Sequence, residues 1–190
     1  MTSYHDLLAP AKLNLFLHVT GRRPDGYHLM QSAFILIDWC DVLHVDLIRG
    51  GQIERKDLGP ALPNDDLIVR AARLLKDASG TQLGAHIAID KHIPAQAGMG
   101  GGSSDAASTL LALNRLWGLN WPLSRLLPIG LSLGADVPFF LRGRNAWVQG
   151  IGEDITPLAL PHAQFAVLKP DAGLETAQIF KHPGLKRDSS

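Results

Sequence analysis

Residues 94–108 read PAQAGMGGGSSDAAS. They follow an alternating apolar segment, AHIAIDKHI (85–93), and precede a row of helix-forming residues, Ala106, Ala107, Leu110, Leu111, Leu113 and Leu116. The pattern predicts a strand, a turn at Pro94, a glycine loop and then a helix. Gly98, Gly100, Gly101 and Gly102 free the loop to take positive φ and to let a ligand approach its backbone. Ser103, Ser104 and Asp105 are residue types that start helices. Such a loop brings free N–H groups and the positive end of a helix dipole to one point, which is a recipe for binding phosphate. It lacks the G-x-x-x-x-G-K-[ST] pattern of a P-loop. It also lacks G-x-G-x-x-G, because the sixth position counted from Gly98 is Ser103.

Upstream, PAKLNLFLHVT (10–20) alternates with period two and predicts a strand. Leu13, Leu15, Leu17 and Val19 share one face; Lys12, Asn14, Phe16 and His18 share the other. Lys12 and Asn14 therefore project side by side, either from a solvated edge or as a half-buried functional pair. Pro24-Asp25-Gly26 is a turn signal, and it displays Tyr27 and His28 at a loop–strand junction, as a packing plug or as a ligand platform. Residues 33–39 and 42–48 predict two strands joined by a hairpin around Cys40 and Asp41. Residues 49–63 look like a polar surface excursion.

Asn64 or Asp65 is the expected cap of a helix over NDDLIVRAARLLKDA, with an apolar stripe of Leu67, Ile68, Ala71, Leu74 and Leu75, ending at Ser79-Gly80. The helix after the glycine loop should stop at Gly118. Pro122 opens another, which Pro128 should bend or break. In GADVPFFL (134–141), Asp136 stands between a small-residue turn and an apolar run, suited either to a proton acceptor or to a turn and cap. Residues 145–149 and 164–169 predict strands, and 174–180 a short helix.

With 190 residues, 18 basic and 18 acidic side chains, 46% hydrophobic and 19% charged residues, the composition is that of a globular protein with no electrostatic bias toward nucleic acid or membrane. The single cysteine excludes an internal disulfide and fits a reducing cytoplasm; Cys40 reads as packing. The eight histidines show no metal-ligand spacing, and no apolar run reaches transmembrane length.

PAKLNLFLHV, DGYH, IPAQAGMGGGSSDAA and LGADVPFFLRG, in that order, together resemble the 4-diphosphocytidyl-2-C-methyl-D-erythritol kinase family of the galactokinase, homoserine kinase, mevalonate kinase and phosphomevalonate kinase superfamily. The resemblance implies an α/β (α+β) fold. Residues 1–158 would form an N-terminal kinase domain like ribosomal-protein-S5 domain 2, with a left-handed β-α-β crossover. Residues 159–190 would begin a ferredoxin-like C-terminal domain left incomplete, since family members run longer and carry a third glycine motif. The implied activity is ATP-dependent phosphorylation of the 2-hydroxyl of the cytidyl-diphosphate substrate, in the non-mevalonate route to isoprenoids.

By the same resemblance, Asp136 is the catalytic base and Lys12 its partner. Pro94, Ala95, Gln96, Ala97, Gly98, Met99, Gly100, Gly101, Gly102, Ser103 and Ser104 wrap the ATP phosphates, and Mg²⁺ arrives as the ATP complex near Ser103 or Ser104. Asn14, Tyr27, His28 and Phe180 lie on the substrate side, Tyr27 and Phe180 sandwiching the cytosine and His28 hydrogen-bonding it. Gln96, Met99 and Asp66 depart from the usual glycine, leucine and asparagine. The implied partner is the small-molecule substrate, with a monomeric or homodimeric cytoplasmic protein and neither nucleic acid nor membrane. Two alternatives stand: another kinase of the superfamily, or a remnant that binds ATP without turnover.

Overall fold

A computed structural model describes residues 2–170, 178–179 and 182–189. The chain starts with two long antiparallel strands, β1 (Ser3–Arg22) and β2 (His28–Ile48). The turn between them closes as its residue types dictate. Gly26 takes φ +92°, its N–H donates to the Arg23 carbonyl, and the Asp25 carboxylate accepts from the Tyr27 N–H at 3.2 Å.

The predicted hairpin at Cys40–Asp41 does not form. β2 runs straight through, with Pro10 opposite Cys40 and Ala9 opposite Asp41. No glycine or proline interrupts the segment, and its polar break marks a change of neighbour. Met30–Phe34 pairs with β5 (Ala146–Gly150), whereas Val42–Ile48 pairs with β4 (Gly84–Asp90). The polar stretch after β2 is also more than an excursion. β3 (Ile53–Asp57) is an edge strand parallel to β4, with Glu54 and Lys56 turned outward. β6 (Asp154–Pro157), not anticipated from sequence, pairs with β5. The sheet order is β3-β4-β2-β5-β6, with β1 on β2.

α1 (Leu67–Ser79) carries the β3-to-β4 crossover. Its N-cap is Asp66, not Asn64 or Asp65: the Asp66 carboxylate accepts from the Val69 N–H at 3.0 Å and pairs with the Arg55 guanidinium at 2.8 Å. Leu74 is largely exposed, and Val69 and Ala72 complete the buried stripe instead. Asp66→Ala should cost about 1 kcal/mol of stability through the lost cap alone; urea unfolding checks this, and a loss below about 0.3 kcal/mol would sink the assignment.

α2 (Gly101–Leu116) lies at the centre of the helical layer, against β1 and β2 and flanked by α1, α3 (Leu123–Leu133) and α4 (Val137–Arg142). Ala106, Leu110 and Leu113 are fully buried with Phe34, Leu43 and Phe139, and the Phe34 and Phe139 rings meet edge to face at 5.2 Å. Leu111, placed with the apolar row by sequence, faces outward. α3 continues through Pro128, whose missing N–H leaves the Ser124 carbonyl without its helical donor. Residues 164–169 form no strand, and of the expected helix at 174–180 only Gln178 and Ile179 are described, both helical. Among the described residues no helix is long and apolar enough to cross a membrane.

Candidate active site

The glycine loop is built from alternating left-handed residues: Gln96 at φ +54°, Gly98 at +72° and Gly100 at +72°. Gln96 adopts at some cost a conformation that glycine takes freely. Gly100 is the N-cap of α2 and no side chain caps that helix. Ser103, Ser104 and Asp105 therefore lie inside the first turns rather than at the cap. The Ser104 N–H already donates to the Gly100 carbonyl at 2.9 Å, and the amides of Gly101, Gly102 and Ser103 are the groups that have no acceptor within the helix. Met99 anchors the loop: it is buried with Ala11 and Ile93, and its carbonyl accepts from the Lys12 N–H at 2.9 Å.

That hydrogen bond seats the loop directly on β1. The β1–β2 register shifts between Pro10 and Lys12, so Ala11 and Lys12 are both buried although they are sequence neighbours. The Lys12 ammonium sits 2.5 Å from Asn14 Oδ1, 3.4 Å from Asp136 Oδ2 and 4.1 Å from the centre of the Phe34 ring. Burial pushes the Lys12 pKa down, and Asp136 opposes part of that shift. Asp136 precedes α4 but makes no capping bond with its side chain. Of the two roles open to it from sequence, its carboxylate is turned to Lys12 and remains about a third exposed.

Lys12, Asn14, Asp136 and the loop thus share one place. A methyl added at Gly100 would lie 2.8 Å from the Phe140 ring and 3.2 Å from Lys12 Cγ. Ser103 Oγ stands against Gly134, at the foot of the turn that carries Asp136. Ser104 is different: its hydroxyl is fully buried and has no hydrogen-bond partner among the described residues. Of the two serines, Ser103 is the one that is only partly buried. Among the described residues no group of three His, Cys, Asp or Glu side chains could hold a metal ion by itself.

The structure does not bring Tyr27 and His28 to this cluster. Tyr27 is 61% exposed, and His28 begins β2 eight residues before Leu36, the ladder partner of Lys12. At ~3.3 Å per residue, the two ends lie up to about 26 Å apart along a straight strand. His28 Nε2 accepts from the Arg187 guanidinium at 3.1 Å, and burial together with Arg187 and Arg22 holds its pKa below the usual histidine value. Phe180 lies outside the described residues. Asp66, which stands where the resembled family usually has asparagine, is committed to its helix cap and to Arg55.

A second charged group beneath the loop was not singled out from sequence. The Lys91 ammonium, just past β4, bonds both the Asp41 and the Asp105 carboxylates, the latter at 2.6 Å. Asp41 Oδ1 also accepts from the His92 and Ile93 N–H groups at 2.6 and 2.8 Å. Only an acid at a strand position and a lysine at a strand end hint at this cluster in the sequence, because its members lie far apart in the chain.

Burial raises the Asp105 pKa to about 7, with Lys91 opposing the shift and Asp41 adding to it. A carboxyl raised in the folded state costs stability as it ionises. The loss should therefore begin above about pH 4, reach its full size near pH 7 and stay level beyond. Asp105→Asn should abolish that component, a difference on the order of a few kcal/mol between pH 5 and pH 8 in urea unfolding. Identical pH profiles for the two proteins would refute it.

Residues 66–144 match the family model described as GHMP kinases N terminal domain. The chain is 67% identical over its whole length to the 4-diphosphocytidyl-2-C-methyl-D-erythritol kinase of Paracidovorax citrulli (strain AAC00-1), covering 68% of that protein. It is 68% identical to the same-named protein of Albidiferax ferrireducens (strain ATCC BAA-621 / DSM 15236 / T118), covering 66%. A crystal structure of a 4-(cytidine 5'-diphospho)-2C-methyl-D-erythritol kinase superposes with TM-score 0.73 at 43% identity, over 84% of this chain and 56% of that one. The mevalonate kinase of Methanococcus jannaschii shares the fold, with TM-score 0.62 at 14% identity. The chain spans about two thirds of the length of its curated relatives, and it belongs to the 4-diphosphocytidyl-2-C-methyl-D-erythritol kinase family.

Proposed function

We propose that this chain carries the phosphoryl-transfer centre of an ATP-dependent kinase acting on the 2-hydroxyl of 4-diphosphocytidyl-2-C-methyl-D-erythritol, in isoprenoid precursor synthesis. The observation that carries the proposal is the Lys12–Asp136 pair, 3.4 Å apart and seated under a glycine loop with open amides. Phosphoryl transfer asks a protein mainly for positioning and charge neutralisation. The segment Pro94–Ser104 holds the triphosphate through the Gly101, Gly102 and Ser103 amides at the start of α2. Asp136 accepts the proton of the attacking hydroxyl. Lys12 pairs with Asp136 at 3.4 Å and steadies the oxygen as it gains charge.

Asn14, which accepts from the Lys12 ammonium, orients that ammonium and borders the acceptor. Tyr27 and His28 hold the cytosine end, with Phe180 as the opposite face of the sandwich. Mg²⁺, which neutralises phosphate charge when bound, enters with the nucleotide. Of Ser103 and Ser104, we assign Ser103, the less buried, to meet it. Residues 159–190 open a second domain in this reading, and the protein works in the cytoplasm as a monomer or homodimer.

ADP release from ATP and Mg²⁺ tests the proposal, with the cytidyl acceptor run beside mevalonate, homoserine and galactose. ADP only with the cytidyl acceptor is expected. ADP with another acceptor would reassign the substrate. Nucleotide binding without ADP would favour the binding-only alternative.

A further inference from the structure

The Asp41–Lys91–Asp105 cluster is not used by the chemistry just described, yet it is the most deeply buried charged group in the described residues. Asp41 is fully buried, Asp105 is 2% exposed, and the Lys91 side chain is 15% exposed. Each member comes from a different element. Asp41 belongs to β2, and its carboxylate holds the His92 and Ile93 amides at the entrance to the glycine loop. Asp105 belongs to the second turn of α2, the helix the loop leads into. Lys91 follows β4 and joins the two carboxylates. Its ammonium lies 3.3 Å from where a Cβ on Gly101 would stand. The loop is therefore tied at both ends to one cation, directly behind the amides that face outward.

We propose that Lys91 is the positioning residue of the phosphate cradle, gathering Asp41 and Asp105 so that the entrance of the loop and the first turn of α2 keep a fixed spacing and the Gly101–Ser103 amides are aligned before nucleotide arrives. The proposal rests on the kinase reading above and goes beyond it by assigning a role to three residues that touch no reacting atom. Glycines make the loop intrinsically loose, with large entropy to lose on ordering. Without a tie, nucleotide binding would itself have to order the loop, and affinity would fall by that cost. Burial of three ionisable groups is otherwise hard to rationalise, since apolar replacements of buried ion pairs are often no less stable. The raised pKa of Asp105 agrees with the arrangement. Near neutral pH Asp105 is in part a neutral carboxyl, so Lys91 and Asp41 balance in charge and the helix N-terminus stays receptive to an anion.

The test compares Lys91→Met with Asp105→Asn in the full chain. The side-chain amide introduced by Asp105→Asn would still accept a hydrogen bond from Lys91, so that variant should keep the tie. Two readouts apply: amide hydrogen exchange at 98–103 without nucleotide, and titration with a non-hydrolysable ATP analogue. Lys91→Met should speed loop exchange by about ten-fold or more and weaken analogue binding by a similar factor. Turnover at saturating ATP should fall by less than about three-fold, which splits KM from kcat. Asp105→Asn should stay near wild type in all three.

If Lys91→Met fails to fold, Lys91→Met/Asp105→Leu removes the orphaned acid together with the cation and leaves Asp41 on its two amides; the same loss of loop protection is expected. Loop exchange and analogue affinity both within about two-fold of wild type in a folded Lys91 variant would overturn the proposal. If loop exchange rises but the unsubstituted chain binds no nucleotide, the positioning role stands and the kinase reading fails.

Discussion

In the Asp136→Asn protein, turnover is expected to fall by about 10²–10⁴-fold while ATP affinity stays within a factor of about three. The asymmetry follows from where the carboxylate sits. It lies beside the Lys12 ammonium and not among the loop amides, so it should meet the acceptor hydroxyl and leave the triphosphate untouched. Asparagine keeps the shape and can still receive a hydrogen bond from Lys12, but it cannot take a proton. The change also removes the neighbour that opposes the burial-driven fall of the Lys12 pKa. The variant's residual activity should therefore lose its protonated lysine at a lower pH than the wild type does. Single-turnover assays with the cytidyl acceptor, beside titration with an ATP analogue, read both quantities. Retained turnover would remove Asp136 from the chemistry; lost nucleotide binding would move it into the cradle.

Gly100→Ala is expected to destabilise the protein by roughly 2–4 kcal/mol and to weaken nucleotide binding more than about ten-fold. Two costs add at this position. The backbone is left-handed, at φ +72°, which disfavours a side chain by ~1–2 kcal/mol. The new methyl would also press on the Phe140 ring at 2.8 Å and on Lys12 Cγ at 3.2 Å. Phe140 cannot yield easily, being buried and packed edge-on against Phe139 at 5.2 Å. Gly98→Ala is the internal control. It has the same φ but nothing within 4 Å of its added methyl, so it should cost only the backbone component. Equal losses in the two variants, by urea unfolding and analogue titration, would show that close packing at Gly100 plays no part.

Local signals carried far in this chain. The strand around Lys12 and Asn14, the α1 helix and the strand–loop–helix at residues 85–117 were all legible, because each is decided by residues close in sequence. Strict alternation in β1 was not, since register shifts bury Lys12 beside Ala11 and leave Leu15 and Leu17 exposed while Val19 is buried. The nearness of Lys12 to Asp136 rested on resemblance, since no spacing rule connects residues so far apart. What stayed hidden depended on distant partners. The Cys40–Asp41 break looked like a hairpin because a strand that changes neighbours leaves the same polar mark as a turn. β3 reads as loop until β4 is there to pair with it. Asp66 outcompetes Asn64 and Asp65 as cap with Arg55 holding it from another strand. Conversely, residues 164–169 hold the apolar run Phe165–Leu168 but pair with no strand among the described residues, and Phe165 and Val167 are each 40% exposed. The Lys91 cluster was invisible because three ordinary charged residues acquire meaning only when folding buries them together.

The unbroken course of β2 has one more consequence. A single strand extends from His28, at the end assigned to the base, past Leu36 beside Lys12, to Asp41 under the glycine loop. Had a hairpin divided it at Cys40–Asp41, the station under the glycine loop would ride on a separate piece from the other two, and its spacing from them would shift with every loop motion. As built, they are graduations on one ruler. In the proposed reading, an acceptor held at one end would present its hydroxyl at the other only if its own length matched, so the chain would select by measure as well as by touch. Removing or inserting two residues within 29–35, which keeps side chains on their own faces, should mis-set that gauge.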